Sequence, residues 1–445
     1  MFDEMDLMRR GESLREKKDY DQAIAVFSEV IKINPRLAEA YYARGNCYEE
    51  LGLHDEAIAN YNEVLRFSPR EAAAYYNRGC AYSKKGDRTQ AIADYTKAIE
   101  LDPQYAKAYY NRGVLYFKRG ELERAMADFQ EAIRLQPKDP DFYVSRGLVY
   151  TVQRNFEAAL ADFDKAIQLH PKHLKAHGNR ANLFELQGKY EEAIAGYTEV
   201  LRINPKDAKA YLNRGLVYFR LSRYDEAIAD FTEAARLNPK SGKIFLNRGL
   251  AYSKKHDNQK AIADFDEAIR LEPKNVDAYI ARGSARSALG RREEALEDYN
   301  EAIRLNPRSA KAYFHRAMLH GLEGRLDSAL QDYTQAIHLD GADPHPWCHR
   351  GVIYARKHHF TQALADYAAA LERDPNYLAA HYNRGLVYRI LGRWDEAIAA
   401  FSEVIRIDPH YARAYQNRAV AYSQKGDHAQ AAADLEKAKQ LGISL

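Results

Sequence analysis

The chain has 445 residues, 46% apolar and 29% charged, and its 66 basic and 63 acidic side chains leave a net charge of +3. Those charges interleave, without the basic bias of a phosphate-neutralising protein, so no nucleic-acid partner is expected. No stretch approaches the ~18 consecutive apolar residues of a membrane span, and the start, MFDEMDLMRRG, lacks an apolar core of signal-peptide length.

Cys47, Cys80 and Cys348 are too few and too scattered for a disulfide framework or a paired metal spacing. The expectation is a soluble, cytoplasmic protein with no membrane partner and no cofactor.

Along the chain, proline recurs every 34 residues, at 35, 69, 103, 137, 171, 205, 239, 273 and 307; position 341 is glycine, and the period resumes at 375 and 409. A period of this length marks a stacked repeat array. In register, the chain divides into thirteen repeats: 4–37, 38–71, 72–105, 106–139, 140–173, 174–207, 208–241, 242–275, 276–309, 310–343, 344–377, 378–411 and 412–445.

Repeat 106–139 serves as the type. Tyr109, Gly113 and Tyr116 share one face of a first helix, A. Gly120 ends that helix, as glycine does in eight of the thirteen repeats. Ala125, Met126, Phe129, Ala132 and Ile133 share one face of a second helix, B, and Pro137 stops it. Each repeat thus reads as a helical hairpin that must stack on its neighbours to complete a core. The whole is all-α, a single solenoid with no residues left for a catalytic domain. Polar Asp6, Ser13 and Lys439 occupy positions that are small or apolar in other repeats, as end repeats require.

Tyr, Gly, Tyr, Ala, an aromatic, Ala and Pro recur at repeat positions 4, 8, 11, 20, 24, 27 and 32. This pattern resembles the tetratricopeptide repeat family over essentially the whole chain, and the resemblance implies a right-handed α-α superhelix with the A helices lining its concave side. There are departures. Position 4 is mostly Tyr, with Trp347 an exception, and position 7 is arginine in all thirteen repeats where the family has Leu. Aspartate recurs at position 23 in nine repeats, so an Arg–Asp ladder joining A and B helices is expected.

In the family, position 6 faces the groove. Here it is Asn77, Asn111, Asn179, Asn213, Asn247, Asn383 and Asn417. An amide offers a donor and an acceptor together and so matches a peptide backbone. The row is similar to the asparagine ladder in the repeat domain of O-linked N-acetylglucosamine transferase, whose catalytic half is absent here. Tyr76, Tyr110, Leu212, Leu246 and Tyr382 should flank it, with Lys84, Lys118, Arg220 and Lys254 as a basic border. The expected partner is an extended or helical peptide segment with aliphatic and acidic side chains. The two-carboxylate clamp of family members that bind chaperone tails is missing, since position 5 is never lysine.

The ladder breaks at Ala281, His315 and His349, close to Gly341. His345 and His349 lie four apart, a spacing that can serve a metal; without a third ligand set by local spacing, no metal is assigned. No phosphate-cradling loop, nucleophile elbow or metalloprotease motif is present, so no enzyme is expected. Self-association through Met1, Phe2, Met5 and Met8 is the alternative to groove binding, and a homo-oligomer would follow from it.

Overall fold

The computed structural model describes residues 4–443. Met1 and Phe2 lie outside the described residues. Twenty-six helices of 13 or 14 residues follow one another, and no strand occurs among the described residues. No helix is long and apolar enough to cross a membrane. The chain forms two compact units, an N-terminal half (Met1–Val217) and a C-terminal half (Tyr218–Leu445). Within each half, an A helix packs on its own B helix and on the B helix before it.

The type repeat shows why these residues make a hairpin. Helix A runs Ala106–Lys118 and helix B runs Leu122–Leu135. Gly113 sits where the Phe129 ring crosses, and a Cβ there would come 2.8 Å from Phe129 Cε1. The two backbones therefore approach closely only without a side chain, and the buried ring fills the space alongside. Past helix B, Gln136 leaves the helical region at φ −133° and ψ 77°, since the residue before a proline is disfavoured in α geometry.

The turn between A and B adopts positive φ in every hairpin. Eight such residues are glycines, Gly120 among them, and five are not: Lys18, Arg154, Ser222, His256 and His358. Glycine signals therefore understated the regularity of the turn, which the rest of the hairpin imposes on ordinary side chains. The following residue often caps helix B: Asp87 accepts from the Gln90 backbone N–H at 3.1 Å, and Asn155 accepts from Ala158 at 3.2 Å.

The proline sites have a second use. The polar tip of the position-4 side chain reaches the carbonyl six residues earlier: Tyr143 Oη donates to Pro137 O at 3.0 Å. Where glycine replaces proline at 341, Trp347 Nε1 donates to Gly341 O at 3.3 Å. The bond outlasts the missing proline because it uses a carbonyl, which any residue supplies.

The expected Arg–Asp ladder is present. Arg112 Nε and Nη2 donate to the two oxygens of Asp128 at 2.9 and 2.8 Å, and Arg350 does the same to Asp366 at 2.8 Å on both arms. Arg78–Asp94, Arg146–Asp162, Arg248–Asp264, Arg282–Asp298, Arg316–Asp332 and Arg418–Asp434 repeat the pair. The third arm was not anticipated. Arg112 Nη1 donates to Thr96 Oγ1, and Arg350 Nη1 to Thr334 Oγ1, both on the preceding B helix and both at 3.0 Å. One guanidinium thus holds three helices, and the Asp94 hydrogen bond makes Arg78 give up its proton less readily than usual.

Two measurements follow. Asp128→Ala strands a buried guanidinium, and its destabilisation should be about 3 kcal/mol, read from the urea midpoint; a loss below ~1 kcal/mol contradicts the clamp. Arg154→Gly relieves a left-handed side chain and should stabilise by about 0.5–1 kcal/mol, after the greater unfolded-chain entropy of glycine is set against it. An unchanged or lowered midpoint counts against that strain.

Candidate peptide-binding face

The face is built from repeat positions 5, 6, 9 and 13 of the A helices. Helix periodicity puts 5 beside 9 and 6 beside 13, so consecutive hairpins carry them in rows.

In the N-terminal half, the position-6 side chains reach back one repeat. Asn77 Nδ2 donates to Tyr42 Oη at 2.8 Å and to Asn46 Oδ1 at 3.0 Å. Asn111 Nδ2 donates to Tyr76 Oη at 3.1 Å, and Ser145 Oγ donates to Tyr110 Oη at 3.3 Å. Tyr76 and Tyr110 are half-buried, and burial raises both phenol pKa values. These amides therefore spend their N–H groups between repeats, and among the described residues no donor reaches Asn77 Oδ1 or Asn111 Oδ1. The Oδ1 of Asn77 and of Asn111 is left as an unused acceptor.

Asn179 and Asn213 come together with Asn182 in one cleft of ≈ 190 Å³, and Lys175 and Lys209 also line it. Asn213 Nδ2 lies 3.5 Å from Asn182 Oδ1, which also accepts from Tyr197 Oη. A second cleft, ≈ 440 Å³, joins Asn46, Asn77 and Cys80 with Arg15 and Tyr20. Leu212 is half-buried.

In the C-terminal half, Asn247 turns back to its own helix and donates to Lys243 O at 2.8 Å, and Leu246 packs partly against Phe265 and Ile262. Asn383 Nδ2 is 3.9 Å from Cys348 Sγ, a thiol that burial pushes up to about 11. Asn417 is only 8% exposed. It donates to Tyr382 Oη at 3.1 Å and accepts from Arg389 Nη1 at 2.7 Å, so its amide is consumed internally. Its neighbour Arg389 supplies a competing donor that the register alone does not reveal.

The basic border is more varied than expected. Lys84, Lys118, Arg220 and Lys254 are all exposed, and Lys84 Nζ is paired with Glu49 at 2.6 Å. The same helix position carries Val152, Leu186, Leu322 and Ile390, each more than half exposed. Sequence reasoning missed this apolar edge because it followed lysine alone; reading position 13 across all repeats would have found it.

At the break in the row, His315 stacks on Tyr299 and His349 on Tyr333, both at 6.0 Å between centroids. Burial, with a smaller push from Lys311, lowers His315 to about 4, and burial also lowers His349. His345 instead turns to Asp343, at 2.6 Å, and to the Tyr377 ring. Those two rings serve different neighbours, and no group of three metal-ligating side chains occurs among the described residues. Of the terminal methionines, Met5 is exposed whereas Met8 packs against the Leu7 and Val26 cluster.

Stacked helical hairpins of constant length, with no strand among the described residues, define a helical-repeat scaffold. The chain belongs to the tetratricopeptide repeat family: its models match residues 76–140, 280–344 and 350–412, residues 38–71, 140–173, 208–241 and 242–275, and further segments at 11–52, 163–195, 181–222 and 388–440. Membership places it among protein–protein interaction scaffolds. Among solved structures, it is similar to the APC/C hetero-tetramer Cut9–Hcn1, at 17% identity over 99% of this chain and 94% of that one, with a TM-score of 0.47. It is also similar to yeast Tom70, at 20% identity over 92% of each chain and a TM-score of 0.46. MamA shares 31% identity over 37% of this chain and 96% of its own, with a TM-score of 0.35. No curated protein sequence matches.

His315 sets a pH dependence. Its folded pKa is depressed, so protonation favours the unfolded chain. Its contribution to stability is complete above the ordinary value of 6.5 and is lost as pH falls towards about 4. His315→Asn should flatten the urea midpoint between those limits, and an unaltered slope would show that the ring is not shielded.

Proposed function

We propose that this protein is a non-catalytic scaffold of thirteen repeats, and that the A-helix face binds an extended segment of a partner protein. The observation that carries this reading is the cleft in the N-terminal half, where Asn179, Asn182 and Asn213 share one wall system with Lys175 and Lys209. Amides there can pair with successive backbone groups, and the two lysines favour acidic side chains in the segment. The unused Oδ1 acceptors of Asn77 and Asn111 can pair with backbone N–H groups. Exposed Val152 and Leu186 supply apolar contacts along the same face.

The test is a pull-down with the full chain and with Asn179→Ala plus Asn213→Ala. Partners retained by the wild type should be lost or weakened by roughly 5- to 150-fold, the equivalent of two hydrogen bonds, while the melting temperature moves little. Undiminished capture by the double variant would reject the face as the binding surface.

A further inference from the structure

Four repeats carry tyrosine at position 5, and all four use it alike. The rings of Tyr42, Tyr76, Tyr110 and Tyr382 lie between 5.8 and 6.0 Å from the position-24 ring of the same repeat. Each phenol oxygen accepts from position 6 of the next repeat. Tyr42 accepts from Asn77 at 2.8 Å, Tyr76 from Asn111 and Tyr382 from Asn417 at 3.1 Å, and Tyr110 from Ser145 at 3.3 Å. A tyrosine at this position thus ties two consecutive hairpins, the first through its ring and the second through its hydroxyl.

Repeat 174–207 has both supports and lacks the tyrosine. Position 24 is Tyr197 and position 6 of the next repeat is Asn213, but position 5 is Gly178, and no other repeat has glycine there. A Cβ on Gly178 would meet nothing nearer than Val200 Cγ2, at 4.0 Å, so no close approach of helices requires this glycine. The omitted side chain leaves the ≈ 190 Å³ cleft, whose apolar lining is Leu174, Tyr197, Val200 and Ala210. Exposed Lys175 and Lys209 mark its open side. Among the described residues, Asn213 Nδ2 makes only the 3.5 Å contact with Asn182 Oδ1. Asn247, which follows a leucine at position 5, turns instead to Lys243 O of its own helix.

We propose that this cleft takes a tyrosine side chain of the partner segment, its ring against Val200 and Tyr197 and its phenol oxygen accepting from Asn213 Nδ2. The site presupposes the A-helix face as the binding surface and adds the side chain that the face selects. A cavity of about 150 Å³ lined by apolar side chains holds benzene, so ≈ 190 Å³ admits a phenol ring. The ring enters past the lysines, tethered to the partner rather than to helix Leu174–Leu186, and need not copy the pose of Tyr110. Phenylalanine would fill the same space but bring no acceptor to Asn213, so the hydroxyl is the source of the selectivity.

The probe is N-acetyltyrosinamide, titrated into the full chain labelled with ¹⁵N-glycine. The readout is the Gly178 amide resonance, assigned by its loss in Gly178→Tyr. The expected result is a saturable shift with half-saturation on the order of 1 mM. N-acetylphenylalaninamide should bind roughly 2- to 13-fold more weakly, the loss of one hydrogen bond, and N-acetylalaninamide should leave the resonance still. In Asn213→Ala, the advantage of the tyrosine probe should vanish. A Gly178 resonance that N-acetyltyrosinamide does not move, or equal affinities for the two aromatic probes in the wild type, overturns the proposal. Gly178→Tyr supplies the ring from the chain itself, so its urea midpoint should hold or rise while partner capture falls. If Asn179→Ala plus Asn213→Ala loses partners that Gly178→Tyr keeps, the face binds but the tyrosine site fails. If the double variant keeps them while N-acetyltyrosinamide still moves Gly178 in the wild type, the phenol pocket stands and the face fails as the partner surface.

Discussion

The structure depends on a guanidinium shared by three helices. Arg112 lies on one A helix, takes both oxygens of Asp128 on its own B helix, and reaches Thr96 on the B helix before it. A buried ion pair adds little net stability, because desolvation offsets most of the attraction. Its force lies in what it forbids. Sliding either helix by one residue would strand a charge among apolar neighbours, which costs far more than a lost methyl contact. The Tyr109 ring lies beneath the same guanidinium at 5.7 Å and narrows its choice of position further. The clamp thus fixes register, while Phe129 against Gly113 supplies burial without much directional preference.

That division explains what could be read from the chain. Helix limits, the hairpin and the Arg–Asp pairing were all legible, since each rests on residue types recurring at constant separations. The repeat position of Asn77 was legible, but its bonding was not. Its amide is used by Tyr42, 35 residues earlier, and no pattern within one repeat discloses where a neighbour's phenol will point. Asn417 shares the tyrosine contact with Asn77 but also accepts from Arg389 on the preceding A helix and donates to Arg413 O of its own, contacts set by single side chains rather than by the repeat. Leu186 was missed for another reason: position 13 was followed through its basic residues alone, although it points leucine into solvent as well. At the hairpin turn, residues such as Arg154 carry no glycine signal, and the left-handed backbone is imposed by packing on both sides.

The candidate face and the clamp compete for the same short helices. Position 7 faces the interior joint and position 6 is next to it, so an asparagine there is drawn into repeat-to-repeat contacts as readily as towards a ligand. Where histidine replaces it, at His315 and His349, aromatic stacking takes over the joint and the amide is dispensed with. The face is accordingly uneven, with amide-lined clefts in the N-terminal half and the stacked imidazoles of His315 and His349 in the C-terminal half.

The arms of Arg112 reach sixteen residues forward to Asp128 and sixteen back to Thr96, and Arg350 reaches equally far in both directions. No Arg–Asp–Thr clamp of this kind spans a full period of 34. Removing or duplicating one whole period therefore returns a clamp arginine such as Arg112 or Arg350 to partners of the same kind. At such joints the array can lengthen or shorten by gene-level copying with the clamp kept intact.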